Sequence, residues 1–283
     1  MHAIRMVLAG TVLVAAACAP ANQNGSEMSA GQAVRIAPGN EEAPARLESS
    51  PRHGEWVTIP SGPNDSVRAW VVYPEQRNNA PVVIVVHEIY GLTPWIRSVA
   101  DQLAADGFIA IAPDYLTGKG VADSPEGPPR EAAVAAVRSL EQSEVQRRTD
   151  AVARYGMALP SAAQKYGIVG YCWGGSVSFQ HAVHAPSLGA AVVYYGSSPP
   201  VPSLSSIQAP VLGLYGGDDA RVNATIPAAD SAMKAMGKTY VQEIYDGAGH
   251  GFLRQQDGRE GANLAAAQKA WPATIAWFRQ HLN

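Results

Sequence analysis

The stretch Lys165-Tyr166-Gly167-Ile168-Val169-Gly170-Tyr171-Cys172-Trp173-Gly174-Gly175-Ser176 constrains the fold more than any other part of the chain. Tyr166 to Val169 are apolar apart from Gly167 and suit a buried strand. From about Trp173 to His184 the spacing suits a helix. Between them stands Gly-x-Cys-x-Gly, the pattern of a strand-to-helix turn that holds its central residue in a strained backbone conformation. Glycine is needed on both sides because a side chain there would strike the neighbouring strand or helix. A buried structural cysteine before a helix would also fit this stretch taken alone, so the rest of the chain has to decide.

The remaining elements describe a sheet covered on two sides. Glu55 to Ile59 and Val67 to Val72 read as an antiparallel pair joined at Gly62-Pro63-Asn64-Asp65. Pro81 to Val86 and Phe108 to Ala112 are continuous apolar runs, the second closed by Pro113. Such runs suit strands buried on both faces. Ala190 to Tyr195 and Val211 to Tyr215 are two more, and Tyr240 to Tyr245 is a further strand. Helical spacing covers Trp95 to Asp106, Glu131 to Leu140, Glu144 to Leu159, Ala224 to Met236 and Asn263 to Leu282, with a Gly/Pro loop over Lys119 to Pro129. Strands alternating with helices mean an α/β fold: a mostly parallel central sheet with helices on both faces, in one domain over residues 51–283.

Ahead of that domain, Met1 to Ala17 reads as a signal segment. His2 and Arg5 precede an apolar run, Val7 to Ala17, that is too short to span a bilayer and ends in small residues. Ala15-Ala16-Ala17-Cys18 resembles a bacterial lipoprotein box, with Ala15 where leucine is usual. Residues 1–18 are therefore expected to direct export, with Cys18 as the lipidated first residue of a periplasmic, membrane-anchored protein of a bacterial envelope. Ordinary cleavage near Ala17 is the alternative. Residues 19–50 have linker composition and are expected to be disordered. The net charge is −3 and no basic stripe is present, which argues against nucleic acid as a partner. Of two cysteines only Cys172 falls in the domain, so no disulfide is possible within it, and no Cys/His group has zinc-ligand spacing. The sequence does not fix the oligomeric state.

In open parallel sheets ligands bind at the carboxyl ends of the strands. The polar residues just past those ends are His87 and Glu88, Asp114, Cys172, Asp218 and Asp219, and His250. The order nucleophile, acid, histidine is that of the α/β-hydrolases. His250 lies in Gly249-His250-Gly251, a tight loop, and an imidazole there can act as a base or hold a thiolate as an ion pair. Asp219 or Asp218 would orient it. Asp218 suits a turn-forming role, which favours Asp219. His53, His87, His181, His184 and His281 read as structural or surface histidines.

Five segments together resemble the dienelactone hydrolase family: His87-Glu88-Ile89-Tyr90-Gly91, Ala112-Pro113-Asp114, the elbow from Gly170 to Gly175, the Asp219 segment, and Gly249-His250-Gly251-Phe252. The resemblance runs from about Pro51 to the C-terminus. It implies a hydrolase that needs no cofactor or metal, with Cys172, His250 and Asp219 as its catalytic residues. It implies that Glu88 contacts the resting cysteine and that the backbone amides of Ile89 and Trp173 form an oxyanion hole. An amide at a helix N-terminus already points outward, which suits that role. Arg254 stands at the spacing of a family arginine that binds a substrate carboxylate, and a second such arginine would be Arg130 or Arg138.

The expected reaction is hydrolysis of a small-molecule ester or lactone through a thioester on Cys172. Arg254, with Tyr90 beside it, would read a carboxylate on the substrate. The opposing expectation is an apolar pocket lined by Tyr90, Tyr115, Trp173 and Phe252. A general carboxylesterase or thioesterase is the alternative within the same chemistry. A non-catalytic binding lipoprotein on the same fold is the alternative outside it.

Overall fold

The computed structural model of the chain describes residues 1–2, 35–75, 78–122 and 124–282. The expected signal segment, Cys18 and residues 19–34 lie almost wholly outside the described residues. The chain divides into Met1–Ala33 and Val34–Asn283, and every described helix and strand belongs to the second unit.

Eight strands form one sheet: β1 Gly54–Gly62, β2 Asp65–Val72, β3 Ala80–Val86, β4 Ile109–Asp114, β5 Ala162–Tyr171, β6 Leu188–Tyr194, β7 Val211–Gly216 and β8 Tyr240–Tyr245. Their order is β1-β2-β4-β3-β5-β6-β7-β8. The pairs β1–β2 and β2–β4 are antiparallel, and every pairing from β4–β3 through β7–β8 is parallel. The helices are α1 Ala43–Glu48, α2 Pro94–Ala105, α3 Arg130–Arg138, α4 Gln142–Met157, α5 Trp173–His184, α6 Ala220–Asn223, α7 Ile226–Ala235 and α8 Ala262–Leu282. None is long and apolar enough to cross a membrane among the described residues.

The sheet's continuous apolar runs feed two cores. Along β3, Val83 and Val85 enter one core with α2 and α8, while Val82, Ile84 and Val86 enter the other with α4, α5 and α7. Successive side chains of a strand point to opposite faces, so a strand covered on both sides must be apolar at every position. Each such valine or isoleucine contributes roughly 1.5–3 kcal/mol. Helix α2 starts where Thr93 accepts from the Ile96 amide and Pro94 occupies the first turn.

Two expectations need correction. Pro113 does not end β4, which runs to Asp114 with Pro113 opposite Ala69 of β2. The β3 partner stops at Ile111. Pro113 therefore has an unpaired side on which its missing N–H costs nothing. The helix expected over Ala224 to Met236 is α7, Ile226–Ala235, with Pro227 in its first turn, and the short α6 precedes it. Residues 35–50, expected as the end of a disordered linker, are ordered. Ala37 is fully buried, as is Ala43 at the start of α1, and Ile36 packs on the α2/α8 core. Small residues that look like linker composition here fit a tight surface path instead.

Candidate active site

Cys172 sits between β5 and α5 with φ 58° and ψ −114°. A non-glycine residue at such a φ is strained and persists only where its surroundings impose it. Here the glycines allow the imposition. A Cβ on Gly170 would lie 1.8 Å from the Gly174 carbonyl oxygen, and one on Gly174 would lie 2.4 Å from the Val86 carbonyl oxygen. The Cys172 amide donates to the Tyr194 carbonyl at 3.1 Å, which ties the turn to β6.

The backbone amides of Trp173 and Ile89 act on the Cys172 thiol and favour its charged form. These are the two amides that the family resemblance names, one from the start of α5 and one from the loop after β3. The thiol is nonetheless pushed up to about 11, first by burial and then by the Glu88 carboxylate, against the pull of those amides and of Arg221. Desolvation outweighs the donors at the thiol.

His250 stands on the loop after β8. Its Nδ1 lies 2.5 Å from Asp219 Oδ2, and Asp219 is 7% exposed. Asp219 Oδ1 also accepts from the Val222 amide at 3.4 Å. Asp218 turns outward and accepts from Arg259 at 2.8 Å on the surface, so the choice between the two aspartates falls to Asp219. The His250 loop has no regular structure of its own. Asn263, buried at the start of α8, accepts from the Gly249 amide at 2.9 Å and donates to the Gln255 carbonyl at 2.7 Å. Phe252 and Leu253 are fully buried anchors.

Glu88 is buried, and Arg254 Nε donates to its Oε2 at 2.6 Å. Burial raises the Glu88 carboxyl above its ordinary value, while Arg254, His250 and Arg130 pull it back. Its described bond is thus to Arg254, and its link to Cys172 is through charge. Arg254 also faces the Tyr90 ring at 5.2 Å. Arg130 lies over the same ring at 4.0 Å and donates to the Tyr90 hydroxyl at 2.8 Å. Arg138, at the other end of α3, is exposed, so Arg130 is the arginine that reaches this cluster.

His87 is structural, as expected. The Tyr115 amide donates to its Nε2 at 3.3 Å, which leaves Nδ1 to donate to the Glu88 carbonyl at 2.7 Å. Its ring stacks on Trp173 at 5.3 Å, and burial lowers its pKa. Asp114 accepts from the Leu116 amide and shapes the turn after β4 rather than joining His250 or Cys172. His181 bonds Tyr166 at 2.9 Å, with its pKa lowered to about 4 by burial. Of the expected apolar lining, Tyr115 and Phe252 are fully buried and only Tyr90 and Trp173 are partly open.

Tyr195 was not legible in the sequence as a site residue. It follows β6 with φ 40°, packs 5.1 Å from the His250 ring, and its buried hydroxyl has no hydrogen-bond partner among the described residues. The rule that points to the other strand ends reaches it, once β6 is seen to stop at Tyr194 rather than Tyr195.

A strained cysteine elbow and an Asp–His pair in this chain order, on this sheet, define an α/β-hydrolase. The sequence profile of the dienelactone hydrolase family matches residues 67–282, and the chain belongs to that family. The Salmonella typhimurium protein named "Putative carboxymethylenebutenolidase" is 34% identical over 241 residues, covering 80% of this chain and 86% of its own length. The protein of the same name from Escherichia coli K12 is 32% identical over 80% of this chain and 86% of its own. Among solved structures, the Klebsiella pneumoniae "Putative Dienelactone Hydrolase" superposes with a TM-score of 0.71 at 30% identity, over 81% of this chain and 99% of the other. The dienelactone hydrolase of Anabaena variabilis shares the fold with a TM-score of 0.62 at 22% identity, over 82% and 99%.

Proposed function

We propose that this hydrolase cleaves a small ester or lactone with Cys172 as nucleophile, His250 as acid and base, and Asp219 as the group that orients His250. The observation that carries this reading is the strained Cys172 elbow together with the His250–Asp219 pair, with the Ile89 and Trp173 amides acting on the thiol. The same donors serve the oxygen of a carbonyl brought against that sulfur. Burial favours the neutral thiol, and in this reading its proton leaves during attack. The sulfur–carbon bond forms, the proton passes to His250, and the carbonyl oxygen gathers charge under the two amides. His250 then protonates the departing alkoxide, and the acyl group stays on Cys172 as a thioester. Water, deprotonated by His250, attacks that thioester and releases the acid and the thiol. The carboxymethylenebutenolidase name of the relatives supports a lactone as substrate.

Arg254 is the proposed reader of a substrate carboxylate. That carboxylate would compete with Glu88 for the guanidinium. Glu88 would then hold a proton more readily, since Arg254 no longer offsets its burial. Turnover of lactones, aryl esters and thioesters by the wild type and by Cys172→Ala tests the reading. Cys172-dependent release of acid from a lactone or ester supports it, and equal turnover by Cys172→Ala rejects it.

Export with lipidation at Cys18 remains the proposal for the N-terminal region, resting on Ala15-Ala16-Ala17-Cys18. Several acyl chains at Cys18 would hold the protein on a membrane, where one alone is marginal. Mass spectrometry of the native N-terminus decides it: acyl chains on Cys18 are expected, and an unmodified mature terminus contradicts them.

A further inference from the structure

The ordered residues 35–42 and α1 lie before the part of the chain that matches the family profile, residues 67–282. They are nonetheless bonded to the loop that carries His250 and Arg254. The Asn40 amide donates to the Arg254 carbonyl at 2.8 Å. Gln256 Nε2 donates to the Ala37 carbonyl at 2.8 Å and to the Leu253 carbonyl at 3.0 Å. On the far side, the Trp95 indole of α2 donates to the Pro38 carbonyl at 3.0 Å. Ala37 is fully buried between these contacts. The segment is further fixed at its end, where Arg46 donates to Gln102 at 2.6 Å and Ser50 and Arg52 both bond Asp101.

These bonds form a strap that runs from α2 to the backbone of Arg254. Beyond them, residues 39–42 and 254–258 face each other across a cleft of about 460 Å³, so the hold is made by a few directed bonds. The backbone of Arg254 is gripped from both directions, by Asn40 at its carbonyl and by the Gly251 carbonyl at its amide. Its side chain reaches Glu88 at 2.6 Å.

We infer that this N-terminal strap is a positioning element of the active site: it holds Arg254 on Glu88, and so sets the charge beside Cys172. The strap touches neither Cys172 nor His250 in any described bond; it acts through Arg254. The inference rests on Arg254 belonging to the site, as proposed above, and it adds to the family's own residues a segment that the family profile does not cover.

The test reads Cys172 directly. The charged or titratable groups around the thiol are Glu88 after β3, Arg221 in α6 and Tyr195 after β6, with Arg254, His250 and Arg130 acting on Glu88. Withdrawing Arg254 changes both the hold of Glu88 on its proton and the screening of its charge, and the thiol responds to that charge. Iodoacetamide labelling of the full chain is followed against pH, with the label on Cys172 quantified by peptide mass spectrometry. Two strap variants are used. Ala37→Asp places a charge in a buried contact and expels the segment. Gln256→Leu keeps the side-chain size and removes both of its donors. Both are expected to move the labelling midpoint in the same direction as Arg254→Ala does, and neither should move it further in the Arg254→Ala background. If both strap variants lower Tm but leave the midpoint at the wild-type value, the strap is only a stabilising cover and the inference is wrong. A wild-type midpoint in Arg254→Ala overturns it as well. Labelling requires no substrate, so an error in the proposed substrate class leaves this result unaffected.

Discussion

The two halves of the site are held in opposite ways. The cysteine half is held by its own chain: a strand, a turn at φ 58° and a helix, with glycines that leave no room for any other path. The histidine half is an irregular loop held by segments far away in sequence. Asp219 takes His250, Asn263 takes the Gly249 amide, and Asn40 takes the Arg254 carbonyl. Local strain fixes a nucleophile once the motif is present. A loop needs outside partners, each of which can be lost singly. The first half should therefore fail completely or not at all, and the second should fail by degrees.

Removing the sulfur is the largest break. Cys172→Ala is expected to lose at least about 10⁴-fold in kcat on an aryl ester, since groups that act as a unit fail together. Cys172→Ser should keep a weak residue of activity, as its hydroxyl fits the elbow. Parallel Tm measurements should change little, which separates lost chemistry from lost folding.

Asp219→Asn comes next. It leaves the elbow untouched and removes the charge that fixes the His250 ring, and a fall of about 10³–10⁴ in kcat is expected. A loss under tenfold would mean that His250 is oriented by its loop alone.

Arg254→Ala is graded by substrate. An acid should lose about 1.5–3 kcal/mol in kcat/KM, the range for a charge-assisted bond, and its methyl ester should lose little. Equal loss on both would show that Arg254 supports the loop without reading charge.

Asn263→Ala should be smallest on chemistry. Leaving the Gly249 amide unpaired costs about 1–3 kcal/mol of stability, read by denaturant titration. Steady-state kinetics should show a modest fall in kcat with the Cys172 labelling profile unmoved.

The same contrast explains what the sequence could show. The elbow, the strand ends and the alternation of strand and helix were legible because each is written in neighbouring residues. Val82 to Val86 could only be a strand covered on both faces, and Gly170 and Gly174 could only flank a sharp turn. His250 and Asp219 were legible by their place after strands. The partners of the loop were not. Nothing near Asn40 or Asn263 in the sequence marks their bonds to the His250 loop, and a run of Ala, Pro, Gly and Asn reads as linker when its burial is unseen. The thiol's pKa was hidden for a related reason. It depends on how deeply the elbow is buried and on Glu88, some eighty positions upstream, rather than on the motif.

The central claim is that the acyl group of the substrate rests on Cys172. It is tested by mixing the protein with an activated aryl ester, quenching in acid and locating the acyl group by peptide mass spectrometry, in wild type and in Asp219→Asn, where hydrolysis of the intermediate is slowed. The account predicts the acyl mass on the peptide carrying Cys172, removable by hydroxylamine and more abundant in Asp219→Asn. An acyl group on Ser176 or another residue, or steady turnover with none on Cys172 in either protein, would contradict it.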